Sequence, residues 1–225
     1  MRVSCDYVHV TLKLATSLDS RIALADGTSQ WITGPQSRRR VHEMRADHDA
    51  VLAGIGTVLA DDPLLTVRTE PAPSVQPVRI IADSQARTPT DSRLMTSISQ
   101  GRVVLATDRK ADGAQYKAGA ELWPCGRLSN GGIDLHRLIA HCADQGLTRL
   151  FLEGGGKLAA SFMKAGLIDR IYWFRAPFFI GGDGLPSLGP LALGNLSDAA
   201  LWSLSEREQI GQDSLEVYTR LNPQP

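Results

Sequence analysis

The chain has 225 residues, 43% of them hydrophobic and 21% charged, and its formal net charge is zero. That balance is expected of a soluble globular protein with a sizeable core, and it argues against a generally basic nucleic-acid surface, so an anionic ligand has to be met by local groups. Cys5, Cys125 and Cys142 are odd in number and form no Cys-x-x-Cys pair, which excludes the usual zinc and redox motifs and suits a reducing compartment. The first residues lack the apolar core of a signal peptide, and no apolar run reaches bilayer length. A single cytoplasmic domain over residues 1–225, with no membrane partner, is the simplest expectation.

Residues 7–15 alternate apolar and polar side chains and predict a half-buried strand, followed by a turn at Ser17-Leu-Asp-Ser20. Thr33-Gly34-Pro35 opens a helix, with Thr33 as candidate cap and Val41 and Met44 on its inward stripe. Asp49-Ala-Val-Leu-Ala-Gly54 predicts a buried strand ending in the glycine turn Gly54-Ile-Gly56. The three prolines of residues 70–77 mark an exposed loop rather than a domain linker.

Residues 78–82, 102–106 and 149–152 are apolar runs of strand length, while residues 135–145 and 157–165 suit helices. That alternation predicts a mainly parallel sheet covered on both faces. Residues 170–175, 201–204 and 214–220 read as further strands, the last two forming an antiparallel pair through Gly211 that makes the sheet mixed.

Glu153-Gly154-Gly155-Gly156-Lys157 stands between a hydrophobic strand and an amphipathic helix. Glycines there let backbone amides approach a ligand, and a helix N-terminus favours phosphate; Gly154, Gly156 and Ala159 also fit the looser Gly-x-Gly-x-x-Ala fingerprint. A plain tight turn would use the same glycines, and a conventional Rossmann fold normally carries its fingerprint early in the chain rather than this late.

Four N-terminal segments discriminate: Lys13-Leu-Ala-Thr-Ser-Leu-Asp19, Ser29-Gln-Trp-Ile-Thr33, Arg45-Ala-Asp-His-Asp-Ala-Val-Leu-Ala-Gly54 and Thr57-Val-Leu-Ala-Asp-Asp-Pro-Leu-Leu-Thr-Val-Arg68. With the glycine segment and Gly166-Leu-Ile-Asp-Arg-Ile, they closely resemble the pyrimidine reductase of riboflavin biosynthesis over nearly the whole chain. The resemblance implies an α/β, dihydrofolate-reductase-like fold, a mixed, mainly parallel sheet flanked by helices. It implies NADPH-dependent reduction of the ribosyl group of 5-amino-6-(5-phosphoribosylamino)uracil, and a homodimer. In bacteria this reductase is often fused behind a zinc deaminase; Pro124-Cys125 lacks the second cysteine of that domain, so no deaminase is expected.

Carried over by motif, Ser29, Arg45, the Leu65 backbone, Arg68 and Glu153 are expected to hold substrate, with the two arginines on its phosphate. Taken alone, Arg45 would read as a solvated helix arginine. Lys13, Asp61 and Glu153 are the candidates for proton handling at the opened sugar. Ala15, Trp31, Thr57, Asp61, Ser84 and the run Gly155, Gly156, Lys157, Leu158, Ala159, Ala160 and Ser161 are the cofactor positions; outside its motif Trp31 would read as an ordinary core aromatic. Preference for NADPH needs a cation at the 2′-phosphate, for which Arg87, Arg109 and Lys110 are candidates.

Arg38, Arg39 and Arg40 read as a solvated face. The five histidines form no metal set, since His136 and His141 miss one-face helical spacing and the others are scattered. Alternative readings are a reductase of the non-deaminated 2,5-diamino-6-ribosylamino-pyrimidinone phosphate or of another pyrimidine or pteridine, and a non-catalytic nucleotide-binding module.

Overall fold

The computed structural model describes residues 7–108, 116, 119–128 and 131–221, and Cys5, Arg109 and Lys110 lie outside them. The chain condenses into two compact units, Met1–His9 with His42–Phe151, and Val10–Val41 with Leu152–Pro225. Residues 70–77 fall inside the first unit rather than at a boundary.

In the first unit, β3 (Ala50–Gly54), β4 (Val78–Ala82), β5 (Val103–Thr107) and β6 (Glu121–Pro124) run parallel in that order, with β7 (Arg149–Leu152) on the far side of β3. Val51, Leu52, Ile80, Ile81, Val104 and Leu105 are all fully buried, as a parallel sheet covered on both faces requires. The expected strand boundaries hold to within a residue for β3, β4, β5 and β7.

Beside β3, the residues after Gly54 form a helix at once, α2 (Ile55–Asp61), where a glycine turn was expected; it ends at Asp62, whose φ is 40°. The short helix α3 (Arg93–Thr96) precedes β5. Helix α4 (Leu135–Asp144) buries Leu135, Leu138 and Cys142, and the Asp134 carboxylate caps it by accepting from the His136 and Arg137 amides. Cys125 and Cys142 are free and buried, and burial pushes both thiols up to about 12.

In the second unit, β1 (His9–Thr16) pairs parallel with β8 (Arg170–Arg175), which pairs antiparallel with β11 (Asp213–Arg220), which forms the expected hairpin with β10 (Trp202–Ile210). Gly211 makes that turn with φ 63°, a conformation that favours glycine. Two short strands, β2 (Arg21–Ala23) and β9 (Leu185–Pro186), form a separate antiparallel pair. Helix α5 (Gly156–Lys164) turns Ala159, Ala160 and Phe162 into the core.

Helix α1 (Pro35–Ala46) starts where Pro35 predicts, and Val41 and Met44 are buried as expected. Its first turn is bonded from far along the chain: the buried Asp213 carboxylate accepts from the Gly34 amide at 2.7 Å and from the Ser37 hydroxyl at 2.6 Å. The Asp19 carboxylate performs a similar office for the segment after β8. It accepts from the Ser17 hydroxyl at 2.6 Å and from the Ile180 and Gly181 amides at 3.1 and 2.8 Å.

Candidate active site

The first unit carries Arg45, Thr57, Asp61, Leu65, Arg68 and Ser84. Thr57 and Ser84 follow the carboxyl ends of the neighbouring parallel strands β3 and β4, where open α/β sheets bind ligands. Both are half-buried, while Asp61, the last residue of α2, is exposed. Arg87 is exposed.

Residues 64–68 form an irregular strap that belongs to no strand, and side chains take up its main-chain groups. Arg79 Nη1 donates to the Leu64 carbonyl at 3.3 Å, and Arg45 Nη1 donates to the Thr66 carbonyl at 2.9 Å. The Gln76 amide accepts from Val67 N–H at 2.7 Å and donates to Val67 C=O at 3.1 Å. Arg68 N–H donates to His42 Nδ1 at 3.2 Å. Leu65 sits at the centre with φ 55°, its side chain only 3% exposed. The left-handed backbone and the anchored side chain together fix which way its peptide groups face.

Arg68 is exposed, and its Nη2 lies 3.2 Å from His42 Nε2. A neutral imidazole accepts at one ring nitrogen only, so the tautomer of His42 sets whether it takes up the Arg68 main-chain N–H or the guanidinium. Partial burial, then the nearby Arg45 and Arg93 cations, hold the Arg68 group below its ordinary range. Like charges gathered this way are relieved by a bound anion, and forked donors suit phosphate.

Sequence reading missed Arg93, His42, Gln76 and Arg79. Arg79 is fully buried in β4 and also donates to Ser97 Oγ at 2.7 Å, Ser97 O at 3.0 Å and Gly101 O at 2.6 Å. Its one outward signal was a charge inside an otherwise apolar run.

The second unit carries Lys13, Ala15, Ser29, Trp31, Glu153 and residues 155–161. Lys13 and Ala15 share one face of β1, both half-buried, and pair with Tyr172 and Phe174 of β8. Ser29 and Glu153 are half-buried. Trp31 is 67% exposed, so it is not a core aromatic, and the Arg38 guanidinium lies over its ring at 4.3 Å. Arg38 also donates to the Thr33 carbonyl at 2.6 Å. The solvated face expected for residues 38–40 is thus corrected: Arg38 is engaged in this contact, Arg40 is half-buried, and Arg39 alone is exposed.

The three glycines differ. A Cβ on Gly154 would meet the Leu158 side chain at 3.0 Å, and one on Gly156 would meet the Pro186 carbonyl at 2.7 Å and the Ser187 carbonyl at 3.2 Å. A Cβ on Gly155 would meet nothing within 4 Å. Gly155 is the N-cap of α5, and no side chain caps the helix there. Packing therefore demands Gly156, a side chain at Gly154 would press on Leu158, and Gly155 leaves an open cradle beside amides suited to a dinucleotide phosphate. Farther along, Ala159 and Ala160 face the core, while Ser161 is exposed and its Oγ donates to the Lys157 carbonyl at 3.0 Å.

Among known proteins, the chain is 37% identical over 216 residues to the 2,5-diamino-6-ribosylamino-4(3H)-pyrimidinone 5′-phosphate reductase of Methanothermobacter thermautotrophicus, covering 94% of this chain and 97% of that one. It is 34% identical over 219 residues to the riboflavin biosynthesis protein RibD of Actinobacillus pleuropneumoniae, covering 96% of this chain but 57% of that longer protein. The structure of Acinetobacter baumannii RibD, form 1, superposes with a TM-score of 0.82 at 27% identity, over 97% of this chain and 60% of that one. The Saccharomyces cerevisiae riboflavin biosynthesis reductase Rib7 shares the fold at 19% identity, with a TM-score of 0.75 over 98% of this chain and 93% of that one. The expected dihydrofolate-reductase-like, mixed and mainly parallel fold is thus the one observed. Matched over residues 8–215, through both units, the chain belongs to the RibD C-terminal domain family.

Proposed function

We propose that the chain, acting as a single reductase domain, uses NADPH to reduce the ribosyl group of a 5-phosphoribosylaminopyrimidine, 5-amino-6-(5-phosphoribosylamino)uracil, to a ribityl chain. The observation that carries this reading is the family match over residues 8–215, which takes in every candidate site residue. The cationic strap and the open glycine cradle support it, each suiting one of the two phosphorylated ligands.

When bound, the cofactor supplies the hydride that reduces C1′ of the opened sugar. The protein's own work is position, charge and proton handling. Arg45 and Arg68 clamp the substrate phosphate, and the Leu65 backbone, fixed by its buried side chain, adds a main-chain contact. Ser29 and Glu153 hold the pyrimidine and ribose hydroxyls. Lys13, Asp61 and Glu153 are the groups assigned to proton handling or to fixing the opened sugar. Ala15, Trp31, Thr57, Asp61, Ser84 and the first turn of α5 hold the cofactor, and Arg87 is the described candidate for its 2′-phosphate. The working form is a homodimer.

The Methanothermobacter alignment, covering 97% of a reductase named for the non-deaminated pyrimidinone, favours a second reading in which that compound is the substrate. Following NADPH oxidation with each pyrimidine decides between them. Turnover of the uracil alone is the expected result, and turnover of the diaminopyrimidinone alone establishes the second reading. Tight NADPH binding without turnover of either overturns both.

A further inference from the structure

We propose that Arg38 is a positioning residue for the cofactor side of this site, acting by holding the Trp31 indole; the inference rests on the reductase reading of Trp31. Arg38 lies one turn into α1, and that turn is fixed by the buried Asp213 carboxylate through Gly34 N–H at 2.7 Å and Ser37 Oγ at 2.6 Å. From this seat its guanidinium reaches back, donating from Nη1 to the Thr33 carbonyl at 2.6 Å while Cζ stands 4.3 Å from the Trp31 ring centroid. One planar group therefore grips both ends of the segment from residue 31 to residue 33.

The indole needs such a grip. Trp31 is 67% exposed, so burial does little to order it, and an unordered ring would have to be ordered at the expense of ligand affinity. A guanidinium keeps its charge at all working pH values and stacks on an aromatic face while still donating in its own plane. A lysine ammonium in its place is a point charge that cannot both stack flat and donate edge-on. The chain of contacts runs from Asp213 through the first turn of α1 to Arg38, and from Arg38 to Trp31.

The test is a double-mutant cycle on the full chain, with NADPH affinity and indole accessibility as separate readouts. In ligand-free protein, Arg38→Met raises acrylamide quenching of the fluorescence component that Trp31→Phe removes. NADPH titration then gives a dissociation constant raised about five- to tenfold by Arg38→Met, recovered little by Arg38→Lys, and changed less than about twofold when Arg38→Met is made on Trp31→Phe. Equal losses in both backgrounds, full recovery by lysine, or Trp31 quenching that Arg38→Met leaves unchanged would each overturn the proposal. Wild-type protein that does not bind NADPH overturns the reductase reading itself. The quenching measurement, made without ligand, separates that result from failure of the clamp.

Discussion

The strap of residues 64–68 and the turn from Glu153 to Gly156 are both suited to a phosphate, but by opposite means. In the strap, charged and amide side chains hold the main chain, and the Arg45, Arg68 and Arg93 cations crowd together. In the turn, Gly154 to Gly156 carry no side chains and present bare backbone at a helix start that no side chain caps, with an open space at Gly155. The contrast teaches that a neutral chain can meet anions locally either by concentrating cations or by exposing oriented peptide dipoles. The two solutions fail differently under mutation.

Arg68→Ala gives the largest expected effect. Loss of a charge-assisted contact worth about 1.5–3 kcal/mol should raise the KM for the pyrimidine substrate about 10- to 100-fold while the NADPH dissociation constant stays within about twofold. Equal loss of both would break the comparison by making the strap a shared element.

The glycine turn is sharpened by treating its members separately. Gly155→Val should weaken NADPH binding about tenfold and move the thermal midpoint little, because its side chain enters space that a ligand needs and the fold does not. Gly156→Ala should behave in reverse, costing about 1–3 kcal/mol of stability by forcing a methyl group against the Pro186 carbonyl. If the two variants lose affinity and stability alike, the division of labour among the glycines is wrong.

The smallest effect concerns pH. The Ser17 hydroxyl, then the Ile180 and Gly181 amides, draw the Asp19 carboxyl down to about 2. A folded value below the unfolded one, about 3.9, means that the stabilisation is complete above the unfolded value and is lost as pH falls through about 2. Asp19→Asn should therefore flatten the acid limb of the stability curve between about pH 4 and 2 and leave neutral activity unchanged. An unaltered acid limb would show that the segment after β8 is held in some other way.

Much of the scaffold was legible because buried parallel strands write themselves as apolar runs, as in Val78-Arg79-Ile80-Ile81 and Arg149-Leu150-Phe151-Leu152. Strands that bury little leave no such mark. β6 exposes Glu121, Leu122 and Pro124, and β10 is exposed along most of its length, so the first went unseen and the second was read as four residues instead of nine. Helix α2 was obscured by Gly54 and Gly56, which suggest a turn even though the chain is already helical.

In the candidate site, residues defined by motif could be named, but residues defined by a distant partner could not. Gln76 binds Val67 nine positions away, and Asp213 binds Gly34 across 179, so neither has a spacing to betray it. Arg38 shows the same limit in one side chain. With no motif to assign it a role it read as part of a solvated face, and only the fold reveals the indole beneath it.

Because the strap belongs to no strand, it can part from its tethers without unpairing the sheet beside it. Residues 64–68 are therefore held by side chains instead of a sheet ladder, with Leu65, Thr66 and Val67 buried beneath those bonds. On the proposed phosphate contact of Arg45 and Arg68, ligand binding should register as slowed amide exchange at Val67 and Arg68, whose N–H groups are held by Gln76 and His42.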